Sequence, residues 1–284
     1  MIGVIIVLTL SATAWGELDS TGLPIDEYED VIGNETFEEP LPALDEDKNT
    51  TASDSLQCLI YLEKRQKIDI EDYPYVVSLH DFDRQYVCPG TIISPRVALT
   101  AHHCVSPYSP RFIRANSEDL YSGGEEYLVQ GIIKYPNASE DGLPIPHDVA
   151  LVVLETEIPN AQVLKLVDPN FKVVRGATVQ ALGAGKIEDC AEYDPSFLSK
   201  VNLQVTSDKD CREQYSSENW FCTESHTTYN CVGDGGAPVL SNGQLIGIVS
   251  HSNDHRRCNS GMPVANVNLT KYLSWIKSKV ALYE

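Results

Sequence analysis

Cys231-Val232-Gly233-Asp234-Gly235-Gly236-Ala237-Pro238 is the stretch that decides how this chain is read, and its centre is a residue with no side chain. At Gly235 there is no hydroxyl for a neighbouring base to deprotonate. Two segments further toward the N-terminus supply groups that could have served one. Thr100-Ala101-His102-His103-Cys104 offers an imidazole, and His147-Asp148-Val149-Ala150-Leu151 offers a carboxylate ahead of an apolar run. Each alone is ordinary, since a His beside a Cys or an Asp before a strand is usually a cap or a satisfied polar group. Their order, His103 then Asp148 then position 235, gives them a joint meaning.

Together the three segments resemble the trypsin-like serine proteases. The first is similar to Gly-Asp-Ser-Gly-Gly-Pro, with Gly235 standing where that family carries its nucleophilic serine. The second resembles Thr-Ala-Ala-His-Cys, which makes His103 the general-base position. The third is similar to Asn-Asp-Ile-Ala-Leu, which makes Asp148 the residue that would orient the imidazole. The chain order is that of the chymotrypsin relatives and not that of subtilisin or the α/β-hydrolases. The resemblance covers residues 58–284 and implies an all-β, trypsin-like double β-barrel, two six-stranded barrels with a short C-terminal helix. It also implies that the amides of Gly233 and Gly235 remain as a remnant oxyanion hole, while loss of a serine nucleophile costs about 10⁶ in turnover.

The same resemblance bears on activation and on the substrate pocket. In the family, cleavage after a basic residue frees an Ile-Val-Gly-Gly terminus, whose ammonium pairs with the Asp before the nucleophile; that Asp is here Asp234. Counting back 12 residues from Pro74 lands on Leu62-Glu63-Lys64-Arg65, where the pattern is absent and no basic residue precedes Leu62. A buried, unpaired carboxylate is costly, so Asp234 is expected to find another donor or to shift toward its neutral form. Tyr229 stands at the pocket-floor position, Ser250-His251-Ser252 replaces Ser-Trp-Gly, and Val264 falls where a wall glycine is usual. These changes fit a narrowed or closed pocket, and they equally fit drift in exposed loops.

Eight cysteines in an exported chain imply a disulfide framework whose pairing sequence alone leaves open to about a hundred arrangements. The family resemblance implies Cys88 with Cys104, Cys211 with Cys222, and Cys231 with Cys258. Cys58 and Cys190 remain, and a fourth bridge between them is the expectation in an oxidising compartment. It would tie the leader to the loop after Gly183-Ala184-Gly185, the counterpart of the family's Gly-Trp-Gly. The cysteines are thereby spoken for and no zinc spacing remains, so neither metal nor cofactor is expected.

Residues 1–16 read as a secretory signal, with an apolar run too short to span a bilayer followed by small-x-small cleavage sites. No later segment approaches the apolar length of a membrane span. Residues 17–57 hold 13 of the chain's 41 acids and one of its 21 bases, Lys48, and read as a disordered acidic leader or pro-segment. Tyr28, within Asp26-Glu27-Tyr28-Glu29-Asp30, is a candidate for sulfation. A net charge of −20 argues against nucleic acid and makes a charge-recruited partner basic. Sequons at Asn34, Asn49, Asn137 and Asn268 are consistent with export, Asn268 being the least favourable beside the expected C-terminal helix.

Short β-rich runs at 76–79, 91–99, 127–133, 149–154, 178–182 and 201–205 are separated by Gly, Pro, Asn and Ser clusters. Residues 238–249 read as a hairpin with Asn242-Gly243 as a type I′ turn, and 269–276 has apolar residues at helical spacing. The functional expectation is a secreted, catalytically inactive serine protease homologue of the insect type, with no clip module in front. It would bind as a cofactor, adaptor or decoy among extracellular proteins, proteases or their substrates, in proteolytic, immune or reproductive processes. Two alternatives stay open: a working endopeptidase that uses another nucleophile or a substrate-bound water, although no Ser, Thr or Cys adjoins position 235, and an inhibitor masked by its acidic leader.

Overall fold

The structure, a computed structural model, describes residues 65–106, 109–138, 147–184, 196–207, 209, 211, 219–224, 234–252 and 263–284. Six strands form the first barrel: β2 (Val76–His80), β3 (Tyr86–Ser94), β4 (Val97–Thr100), β5 (Phe112–Ala115), β6 (Glu125–Lys134) and β7 (Ala150–Leu154). They run antiparallel in the order β2-β3-β4-β7-β6-β5, and pairing of β2 with β5 closes the ring. The second barrel is built from β8 (Thr178–Gly183), β9 (Ser199–Val205), β10 (Trp220–Glu224), β11 (Pro238–Ser241), β12 (Gln244–Ser252) and β13 (Val264–Asn268). Its order is β9-β10-β13-β12-β11-β8, closed by β8 against β9, and the two-residue β1 (Gln66–Lys67) is added on the outer edge of β9. The expected double barrel is therefore the observed architecture.

Side-chain alternation explains why β2, β4 and β7 are buried along their whole length. In a strand, successive residues face opposite sides. Val77, Leu79, Ala98, Ala150, Val152 and Leu154 fill one hydrophobic cluster, whereas their neighbours Val76, Val97, Leu99 and Leu151 join the larger cluster that includes the second barrel's core. Strands with both faces buried have no solvent side on which to place polar residues. The run expected at 91–99 is corrected here: it is two strands, β3 and β4, folded back so that Thr91 pairs with Leu99 and Ile92 with Ala98. Pro95 causes the break, because it cannot donate to a ladder and favours a turn. Strands β5, β10 and β13 leave no clear apolar signal in the sequence, being short and carrying residues such as Arg114 and Asn266 whose burial depends on distant partners.

The hairpin at β11–β12 turns at Asn242 and Gly243, both at positive φ (49° and 73°), as a type I′ turn requires. The helical segment starts with a 3₁₀ turn (Leu269–Lys271) capped by Asn268 and continues as α1 (Leu273–Val280). Asn268 Oδ1 accepts from both Thr270 N–H (3.2 Å) and Thr270 O–H (2.6 Å), so the Asn268 sequon doubles as a cap. Asn137 is exposed in a turn after β6. Two of the implied disulfides are present, Cys88–Cys104 and Cys211–Cys222. Cys58, Cys190, Cys231 and Cys258 lie outside the described residues, as do the leader, Tyr28, Asn34 and Asn49. Among the described residues, no helix is long and apolar enough to cross a membrane.

His80, buried on β2, is stacked on Phe112 with ring centroids 4.9 Å apart, and its Nε2 shares a 2.8 Å hydrogen bond with Ser78. Burial drives its pKa down to about 4, against the carbonyl of Arg84 and the charge of Glu126, which favour the proton. The unfolded chain therefore binds a proton at this site below about pH 6.5 that the folded chain refuses, so stability falls as pH drops from there toward 4 and is unaffected above. In chemical denaturation, His80→Gln should flatten that acid limb by on the order of 2 kcal/mol relative to the native chain. Parallel pH profiles for the two proteins would refute the assignment.

Candidate active site

The imidazole of His103 sits on a 3₁₀ turn (His103–Val105) directly after β4, and Cys104 anchors that turn to Cys88 on β3 through the disulfide. Asp148 precedes β7 and is almost wholly buried (1% side-chain exposure). Its Oδ1 accepts the His103 backbone N–H at 2.9 Å, and its Oδ2 accepts His103 Nδ1–H at 2.8 Å together with the Ser250 hydroxyl from β12. The loop that presents Asp148 is held from the other end of the chain: His147, at a φ of 59°, meets the Tyr272 hydroxyl at 3.1 Å and packs on Tyr135, which in turn contacts Trp275 of α1. The C-terminal helix thus supports the carboxylate that orients the histidine.

Electrostatics follow from this geometry. Burial alone would push His103 toward its neutral form, but the Asp148 charge and hydrogen bond outweigh it and raise its pKa above the usual histidine value. Burial alone would raise Asp148, and here His103, the Ser250 hydroxyl and the His103 amide reverse it, so the carboxyl lies below its ordinary range. The His103 side chain keeps 31% exposure, and Nε2, the nitrogen not bound to Asp148, lies 3.6 Å from Cys104 Sγ.

Gly235 lies against that edge. A Cβ built on it would fall 2.2 Å from His103 Nε2 and 2.7 Å from Cε1, distances that real Cβ atoms do not reach. The ring occupies the room that a side chain at 235 would need. Gly236, at φ +85°, admits no side chain either, with Thr100 Oγ1 at 2.3 Å and the Pro89 carbonyl at 2.7 Å from its would-be Cβ. The backbone after the site is locked by Gly236 N–H to Val249 O (2.8 Å) and Ala237 N–H to Asp234 O (2.9 Å).

Asp234 has found the other donor that its burial demanded. The guanidinium of Arg65 binds it in a fork, one terminal nitrogen to Oδ2 at 2.9 Å and the other to Oδ1 at 2.8 Å, with side-chain exposures of 4% and 1%. The partner expected to be missing is replaced by the last residue of the Leu62-Glu63-Lys64-Arg65 match. The sequence signal for this role is a long cationic side chain within the stretch that aligns with the family's free terminus. Ser250 was visible only as part of an altered pocket motif.

Of the remaining expected site residues, Val264 is buried on β13 across from Ser252 and Thr223, while Tyr229 and Gly233 lie outside the described residues. Cys88, His103 and Cys104 bring potential metal-binding atoms within 4.8 Å of one another, but both sulfurs are consumed in the disulfide and cannot act as thiolates. The retained His103–Asp148 pair can still hold or pass one proton at Nε2. The stabilisation from charged His103 is fully present below about pH 6.5 and is lost as pH rises through its higher folded value. By NMR, His103 should titrate above 6.5 in the native chain and below 6.5 in Asp148→Asn, where burial is unopposed. A native value at or below 6.5 would contradict the geometry.

Comparison with known proteins agrees with the fold. The trypsin family model matches residues 64–276. Trypsin Blo t 3 of Blomia tropicalis is 30% identical over 223 residues, 73% of this chain and 82% of that protein, and Trypsin-4 of Rattus norvegicus is 29% identical over 215 residues, 73% and 85%. Among solved structures, mouse brain neuropsin, a serine protease, superposes with a TM-score of 0.68 at 23% identity, covering 76% of this chain and 99% of that one. The scabies mite inactivated protease paralogue S-D1 superposes at 0.69 and 22% identity, covering 77% and 97%. With His103, Asp148 and position 235 converging at one site of a double barrel, the chain belongs to the trypsin family.

Proposed function

We propose that this chain is a secreted, non-catalytic member of the family that acts by binding other extracellular proteins, as a cofactor, adaptor or decoy in proteolytic or immune processes. The observation that carries the reading is the contact between His103 and Gly235: no nucleophile stands at 235, and the base fills the space from which one would act. Without an attacking hydroxyl, the proton held at His103 Nε2 has no acyl transfer to serve. The scabies mite protein of the same fold is described as an inactivated protease paralogue, which supports the reading by analogy. The apolar stretch at residues 1–16 is the basis for secretion, and the acidic residues 17–57 favour a basic partner.

A serine-directed fluorophosphonate probe tests this. The native chain should remain unlabelled; covalent labelling would overturn the reading. Gly235→Ser should regain only weak reactivity, because its Cβ displaces the His103 ring from the Asp148 hydrogen bond unless the backbone also moves, and misplacement of this kind costs on the order of 10²-fold in rate.

A further inference from the structure

The pair between Arg65 and Asp234 is more than a satisfied buried charge, because of what meets at it. Four of the guanidinium's five N–H donors are accounted for: Nε to Ser199 Oγ (2.8 Å), one terminal nitrogen to Asp234 Oδ2, and the other to both Asp234 Oδ1 and the Gly183 carbonyl (3.2 Å). Ser199 Oγ donates onward to the same Gly183 carbonyl at 3.0 Å. Gly183 has no room for a side chain there, since a Cβ would fall 2.4 Å from Asp234 Oδ1. The Tyr86 hydroxyl of the first barrel is held protonated, mainly by burial and next by the Asp234 charge. Arg65 is itself positioned by the ladder that follows it, Gln66 against Lys200 and Lys67 against Ser199. One side chain thus joins the ends of β8 and β9 to the turn that carries Gly235, across 169 residues of sequence.

A guanidinium belongs to an internal residue with peptide bonds on both sides, so this pair forms without a break in the chain. We propose that Arg65 is a built-in counter-ion that locks the Asp234 corner in the uncut protein, making the final form of the site independent of proteolysis. The same burial shields the Arg65–Gln66 bond. Trypsin-type proteases must seat the side chain on the amino side of the scissile bond in a pocket with a carboxylate. Here that side chain is already engaged by a carboxylate of its own fold. The Lys64-Arg65 dipeptide, which would otherwise be an inviting cleavage point between leader and domain, is guarded for as long as the pair stays closed. This lock is independent of catalytic inactivity and stands whichever way the labelling experiment falls.

Two measurements on the full chain test it. In timed trypsin digestion followed by mass spectrometry, the native protein should be cut after Arg65 about 100-fold more slowly than after Arg175, which is exposed in a turn. Asp234→Asn should erase most of that difference while cleavage after Arg114, buried in β5, stays slow. Native cleavage after Arg65 at the Arg175 rate, or no change in Asp234→Asn, would overturn the shield; equal acceleration after Arg65 and Arg114 would reduce the pair to general stability and overturn the local lock. Separately, a specific protease site placed just before Leu62 allows one cut that frees a terminus there. Amide exchange over residues 181–184 and 234–240 should be the same before and after the cut. A gain in protection of about tenfold or more on cutting would mean that the freed ammonium completes the corner, and would overturn the proposal.

Discussion

A carboxylate held away from water must be given back the hydrogen bonds that water supplied, and the Arg65–Asp234 fork is how this domain meets that demand beside its site. Removing either partner from such a buried pair costs about 3–5 kcal/mol, because the other is left as an uncompensated charge. The pair sits where β8, β9 and the turn before Gly235 converge, so the position of that turn is tied to the residue just before β1. The second buried carboxylate, Asp148, is solved in the same way with different donors: an imidazole, a hydroxyl and a backbone amide. Two acids, each paired with a cationic or imidazole partner and hydrogen-bonded at both oxygens, define the frame within which the rest of the site is placed.

That frame holds the trypsin-family architecture in place with no side chain at position 235. The His103–Asp148–Ser250 network needs nothing from position 235 in order to be stable, since its hydrogen bonds run between the histidine turn, the start of β7 and β12. Gly235 then removes the one atom that would have kept the imidazole at a distance, and the ring lies against the backbone. The aromatic group of Tyr135, His147, Tyr272 and Trp275 fixes the Asp148 loop from the C-terminal side, independently of any substrate. A scaffold held by such internal pairs keeps its shape, and with it whatever surface it offers to a partner.

Much of the fold was legible in the chain, and the reasons differ from place to place. The strands β2 and β7 show as near-continuous runs because both of their faces are buried, β9 shows by alternation, with Val201, Leu203 and Val205 buried and Asn202 and Gln204 exposed, and the β11–β12 hairpin shows because Asn-Gly is chemically suited to its turn. The run at 91–99 reads as one strand in composition, and it is two because Pro95 folds it back on itself. Short strands such as Phe112–Ala115 were invisible because Arg114 looks like a surface residue until Gly123 and Glu126 are seen to receive its donors.

The sequence by itself determined which groups are present and in what order: an imidazole at 103, a carboxylate at 148, no side chain at 235, and cysteines with the family's spacing. These are facts about individual residues and local distances along the chain. Only the tertiary structure decided that Arg65 answers Asp234 and that the His103 ring takes the place of the missing side chain. Charge and steric exclusion act through space, and groups far apart in sequence become partners only once the barrels have closed and shut water out from between them.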